Sequence, residues 1–369
     1  MTALPSGTSS PRITRPARRA WGDALLAWSA RGAAACVVVL LGLLLFVLIR
    51  AALPAMQTYG VGFLTQTEWR VNSLDAPIRD AAGKLTFDED GEMLTRVSPP
   101  VYGAAPTIYG TFASALIALA VAVPLSLGAA LFLVRIAPRW RLATAVGFLI
   151  EFLAAIPSLA FGVWGVFVLV PFMRDVIGPA AKGTLGQISL LGWQPFDWLF
   201  FRTTIIDGVG VRGEIAINGW NMLTGGLILA IMILPIITSI ARDVLRSVPR
   251  SQIEASLALG ATWWQSSVLM LRYARSGLFG AVMLGLARAA GETMAVTMVI
   301  GNANQISASV FEPAQTMASL LATEFGEAGA EQRSALLFVA LILLVMSLLI
   351  NIIARYLVVG SAVKGSAGQ

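Results

Sequence analysis

The chain has 369 residues, 57% of them hydrophobic and only 12% charged, with a formal net charge of +6 and a mean hydropathy of +0.78. A soluble domain carries roughly 25% charged residues, so this composition describes an integral membrane protein. Histidine is absent and Cys36 is the single cysteine, which excludes a zinc site, a Ser/His/Asp triad, a Cys/His dyad and a disulfide framework. The string Gly83-Lys84-Leu85-Thr86 lacks the upstream glycine and the hydroxyl of a phosphate-binding loop, so hydrolysis of ATP by that route is excluded as well.

Residues 1–31 are rich in Ser, Thr, Pro and Arg without an apolar period, and read as a disordered basic tail. The run 32–49 is 18 residues long, longer than the usual core of about 7–15 residues in a cleaved signal peptide, and predicts an uncleaved anchor helix over 32–52. Further apolar runs cover 97–134, 142–173 (holding Glu151), 215–241, 276–301 (holding Arg288 and Glu292) and 334–354. Because a span needs about 20 apolar residues, six transmembrane helices are expected. The second and third runs are too long for one straight crossing and are expected to include interfacial or unwound pieces. Pro124, Pro157 and Pro235 lie inside apolar runs and are candidate kinks.

Charge sets the orientation. With the N-terminus inside, the inner segments carry 15 Lys/Arg against 3 Asp/Glu and the outer segments 10 against 15. Both termini are therefore expected in the cytoplasm, and the basicity needs no nucleic-acid partner. The outer segment 53–104 contains GKLTFDEDGEMLTR, residues 83–96, where Asp90-Gly91 suits the tight turn of a two-stranded ribbon. Its clustered acids Asp88, Glu89, Asp90 and Glu92 read as a solvated tip or, alternatively, as a docking surface.

The inner segment 242–275 is too structured for a connector. Ser251 to Glu254 has the spacing of a capping box, Gly260 suits a left-handed helix terminator, and Thr262 to Gln265 offers a second box. Helix, glycine elbow, helix is the reading. Ile253, Leu257, Leu259, Trp263 and Trp264 give the unit an apolar surface that fits either a groove on a partner or the lipid headgroups.

Within that unit Glu254-Ala255-Ser256-x-x-x-Gly260 resembles the Glu-Ala-Ala-x-x-x-Gly loop of binding-protein-dependent ABC importer permeases. The strings 106–133, 150–167, 283–302 and 319–328 resemble, more narrowly, the PstC-type subunit of phosphate-specific importers. The likeness covers roughly 100–354 and is most specific from Gly285 to Asn302. It departs at Leu271-Arg272-Tyr273, where the family commonly has Leu-Pro, and the outer loops near 80–95 and 195–215 look like insertions.

The resemblance implies an all-α membrane protein of six spans with a type I (MetI-like) permease core over 105–356, followed by a cytoplasmic tail, 357–369. It implies a coupling role for Glu254, Ala255, Ser256, Gly260 and Ala261 against cytoplasmic ATPase subunits. The further partners implied are a second, different permease chain and an extracytoplasmic phosphate-binding protein. This chain itself is expected to be no enzyme and to hold no cofactor, ATP and magnesium belonging to the ATPase. A permease for another oxyanion, such as sulfate or molybdate, or an ATP-independent anion channel, are the rival readings.

Arg288 and Glu292 lie four residues apart near the middle of the fifth run. On an unbroken helix they share a face, so they either form a mutual salt bridge or line a solute path. A guanidinium matches phosphate oxygens in bidentate fashion. A neighbouring carboxylate weakens that grip enough for release, accepts a hydrogen bond from protonated phosphate, and repels sulfate, which has no such proton. Glu151 is expected as a second partner of Arg288, and Ser158, after Pro157, as a hydroxyl lining the same path. Two carboxylates against one guanidinium leave that path acidic, and the balancing cations are expected from the companion permease.

Overall fold

The computed structural model describes residues 17–71, 74–77, 95–136, 141–188, 196–206 and 209–366. The chain divides into two units, Met1–Arg50 and Ala51–Gln369. The described part of the first is the beginning of α1 (Ala17–Tyr59). Residues 17–31 are therefore helical, contrary to the expected disorder; 1–16 lie outside the described residues. Past Pro16 no proline occurs until Pro54, and Ala, Leu and Arg favour the helix.

The second unit contains α2 (Ala105–Ile136), α3 (Arg141–Ala155), α4 (Ser158–Gln187), α5 (Met222–Arg246), α6 (Arg250–Ala258), α7 (Trp263–Tyr273), α8 (Arg275–Gly291), α9 (Met294–Val299), α10 (Met317–Glu324) and α11 (Ala330–Ser366). Among the described residues, five helices are long and apolar enough to cross a membrane: α1, α2, α4, α5 and α11. Six straight spans are thus not observed. The third run is cut before Pro157, and the fifth is broken at Glu292. The second run begins late, because residues 95–98 form a strand and the helix starts only at Ala105, one residue before Pro106.

The centre of the unit is α2 against α5. Gly110, Ser114, Ala118 and Ala122 recur every fourth residue on α2 and are all buried. That spacing of small side chains lets backbones approach where water supplies no driving force. At Gly110 a Cβ would stand 2.2 Å from the carbonyl oxygen of Gln315, whereas at Gly128 on the same helix it would meet nothing within 4 Å. Gly110→Val is expected to destabilise the protein by about 3 kcal/mol, since a backbone carbonyl cannot rotate away; Gly128→Val should change little. Thermal unfolding of the two purified variants checks the contrast. Pro235 is buried inside α5, and Pro124 is exposed inside α2; both helices continue through them. Next to Pro235, the carbonyl of Leu234 accepts hydroxyls from Thr238 of the same helix and from Ser126, the latter tying α2 to α5.

Toward the expected outer end, Phe63, Tyr102, Met317, Leu320, Leu336 and Val339 form a second core. Ser334 Oγ accepts from Ala55 N–H and donates to Ala51 O, both at 3.1 Å. It stands in the helical ladder just where Pro54 loosens it. Trp69 and Gln332 both donate to Glu324 at 2.8 Å. Burial holds the Tyr102 hydroxyl above its usual range, and Glu331 and Glu324 add to that shift.

Two antiparallel ribbons complete the described structure. β1 (Leu74–Pro77) pairs with β2 (Thr95–Ser98) in register Leu74↔Ser98. The ribbon expected over 83–96 has its Asp90-Gly91 turn outside the described residues, and the observed first strand lies upstream of the expected one. The second ribbon, β3 (Phe201–Ile206) with β4 (Val209–Glu214), had no clear signal in the sequence. It is tied to the preceding loop of α10 through Arg202, which bonds Gln305 at 3.2 Å and Glu312 at 3.3 Å.

Candidate functional site

The depth of each candidate follows from how α8 lies on α5. A Cβ at Gly277 would meet Val244, and one at Gly285 would meet Ile237, so the helices run antiparallel. Arg288, three residues beyond Gly285, is level with the middle of the 25-residue α5. Ala281, Gly285 and Ala289 bury one face of α8, while Leu284 and Arg288 are exposed on the other. Arg288 has no ion pair or side-chain hydrogen bond among the described residues.

Glu292 does not share a helix face with Arg288. The helix ends at Gly291, and Glu292 is extended (φ −71°, ψ 129°) before the chain re-enters helix at α9. The Thr293 hydroxyl reaches the Gly291 carbonyl at 3.4 Å and partly replaces the lost ladder. Pro157 makes a second interruption (φ −59°, ψ 141°), after which Ser158 opens α4. The two restarts are neighbours. A Cβ at Gly162 would strike Met298 and Ala295, and one at Gly165 would strike Val299, so α4 and α9 run side by side in the same direction from their breaks. Extended backbone at membrane depth is tolerated only within protein or along a water-filled cavity, which is the setting a solute path supplies.

Glu151 belongs elsewhere. Its carboxylate accepts from Arg242 Nη1 at 3.1 Å, and Arg242 lies near the far end of α5. At 1.5 Å per residue this pair is about 12 Å along the bundle from Arg288. The expected Glu151–Arg288 pairing is therefore replaced by one between residues 91 apart in sequence, for which spacing gave no signal.

The segment 242–275 folds as two helices about a glycine elbow. Gly260 has φ +82°, and Thr262 with Gln265 forms the reciprocal capping box. Ser251 does not cap α6: the helix opens at Arg250 after Pro249, with no side-chain cap. Pro249, extended at ψ 131°, takes the N-cap position two residues before the serine. Ala261 N–H bonds Ser256 O at 3.1 Å, and the Ser256 and Ser266 hydroxyls lie 3.1 Å apart, fixing the angle between α6 and α7. Glu254 and Ala255 are exposed beside Leu259 at 89% and Trp264 at 62%. α7 gives way to α8 at Ala274, which closes one helix and opens the next without the family's proline.

Residues 122–360 match the family described as binding-protein-dependent transport system inner membrane component. The chain belongs to that family. As a member of this inner membrane component family it is a multi-pass transport protein and not itself an enzyme. Among its curated relatives, the phosphate transport system permease protein PstC of Xylella fastidiosa is 38% identical over 355 residues, covering 96% of this chain and 95% of the relative. That of Mesorhizobium japonicum is 38% identical over 361 residues, with the same coverage of 96% and 95%. PstC 1 of Mycobacterium tuberculosis is 36% identical over 316 residues, covering 83% and 84%. Among solved structures, a chain of the MetNI methionine ABC transporter aligns at 18% identity with a TM-score of 0.46, over 70% of this chain and 94% of that one. Every candidate, from Pro124 to Glu292, falls inside the matched inner membrane component.

Proposed function

We propose that this chain is the membrane-spanning permease subunit of an ATP-driven inorganic phosphate importer, with both termini cytoplasmic. It forms the path with a second permease subunit. Cytoplasmic ATPases engage Glu254, Ala255, Ser256, Gly260 and Ala261, and an extracytoplasmic binding protein delivers the solute. The observation that carries this reading is Arg288, exposed at mid-depth beside two interrupted helices, in a chain whose relatives are named phosphate permeases. A guanidinium facing hydrocarbon at that depth costs roughly 2.5–3.5 kcal/mol on insertion scales. An aqueous path or the second subunit removes that cost.

Arg288 is the transient counter-ion, its planar donors matching two phosphate oxygens. Glu292, held in the break one turn later, accepts a hydrogen bond from the O–H that dihydrogen or monohydrogen phosphate carries and sulfate lacks. Ser158 adds a hydroxyl at the neighbouring break. With Glu151 paired to Arg242, the path holds one cation and one anion from this chain instead of an acidic excess.

The deciding experiment is ATPase stimulation of the reconstituted complex by phosphate-loaded against sulfate-loaded binding protein. Stimulation by phosphate alone is expected, and equal stimulation by both overturns the assignment of the solute. Glu292→Gln removes the like charge opposed to sulfate. It is expected to raise sulfate transport relative to phosphate by about tenfold, the equivalent of roughly 1.4 kcal/mol, measured as competing uptake in vesicles.

A further inference from the structure

At the end of the bundle that carries α6 and α7, a cleft of about 860 Å³ opens between the last turn of α2, the end of α5 and α6. Arg135, Arg246 and Arg250 line it, one from each of those elements, with Glu254 as the single carboxylate. We infer that this cleft is a binding site for a phosphate-class oxyanion, held by these three guanidinium groups.

Charge bias toward one membrane face explains why arginines occur here, but not why three enter one cleft with no ion pair among the described residues. The neighbouring Arg242 shows the contrast: it is neutralised by Glu151 at 3.1 Å and Asp243 at 3.4 Å. Arg246 and Arg250 have no ion pair or side-chain hydrogen bond among the described residues. Arg135 is already positioned. Its Nη2 donates to Ser266 at 3.2 Å, its guanidinium carbon lies 5.8 Å from the centre of the Trp263 ring, and its Nε is buried without a partner. Like charges gathered in a partly enclosed space repel at an energy that a bound anion reverses. A phosphate group, with oxygens for several planar donors, fits better than a single carboxylate. An anion held by all three arginines ties the docking unit to the ends of α2 and α5.

Free inorganic phosphate and the phosphate of an anionic lipid headgroup share this chemistry. The test uses the complete transporter without nucleotide or binding protein. One arm measures radiolabelled inorganic phosphate binding in phosphatidylcholine nanodiscs. The other counts phosphatidylglycerol retained from mixed nanodiscs by native mass spectrometry. Arg246 and Arg250 are exposed, so the double variant Arg246→Gln/Arg250→Gln should fold. Measured in an Arg288→Gln background, where the transport path no longer contributes, it is expected to lose about 100-fold in affinity in one arm, roughly tenfold per guanidinium, while Arg272→Gln, exposed and outside the cleft, retains that binding in the same background. Loss in the first arm identifies free phosphate, and loss in the second identifies the headgroup. Unchanged binding in both arms, or an equal loss in Arg272→Gln, overturns the site. Because no uptake is read, neither result bears on the transported solute.

Discussion

Arg288→Gln is expected to abolish phosphate uptake while the variant still inserts and assembles. A hydrogen bond to a charged partner contributes about 1.5–3 kcal/mol. Removing a bidentate pair therefore raises the barrier for the anion by roughly 3–6 kcal/mol, a fall of at least 100-fold in rate. Folding should not suffer, because the side chain makes no ion pair or side-chain hydrogen bond among the described residues and glutamine is easier to place at mid-membrane. Arg288→Lys keeps the charge but loses the planar fork, and should fall between the two. Radiolabelled phosphate uptake, with membrane abundance as the control, measures all three. Normal uptake in Arg288→Gln sinks the role given to this residue.

Glu254→Lys is expected to uncouple or detach the ATPase subunits with the bundle intact. The reversal lies on an exposed position of α6, where substitutions typically change stability by no more than about 0.5 kcal/mol. Glu254 also lines the cleft of Arg135, Arg246 and Arg250, so an unchanged melting temperature of the variant is the control that assigns a large effect to the partner. The elbow at Gly260, the Thr262/Gln265 box and the Ser256–Ser266 contact make the unit rigid, so a docked partner meets a fixed surface of Glu254, Leu259 and Trp264. Recovery of the ATPase in pull-downs, and solute-stimulated hydrolysis, should both collapse. Undiminished recovery together with full stimulation removes Glu254 from the coupling surface.

The two assignments differ in how far the sequence could carry them. Apolar runs and the glycine elbow are local signals, and the thirty-odd residues of 242–275 fold as two helices about that elbow, as their spacing predicts. Pro249 explains the one local error, since it opens α6 ahead of the serine expected to cap it. The breaks divide unevenly. Proline announces the one at Pro157, but Gly291-Glu292-Thr293 carries no comparable signal inside an apolar run, and the turn there depends on packing against α4. Glu151 and Arg242 are 91 residues apart, a separation at which neither charge announces the other. The second ribbon and the sharing of one cleft by Arg135, Arg246 and Arg250 are likewise tertiary facts.

The joint at Ala274 leaves no slack. One residue separates the docking helices from the 17-residue rod that bears Arg288, and backbone bonds of 3.0 Å, from Ala274 N–H to Met270 O and from Leu278 N–H to Ala274 O, clasp it on both sides. A rod of that length measures about 25 Å, so a swing of some 10° at the joint carries its far tip about 4 Å sideways. Such a crank converts a small push on the docking helices into a displacement wider than a water molecule at the guanidinium's level, with no loop in between to absorb the stroke.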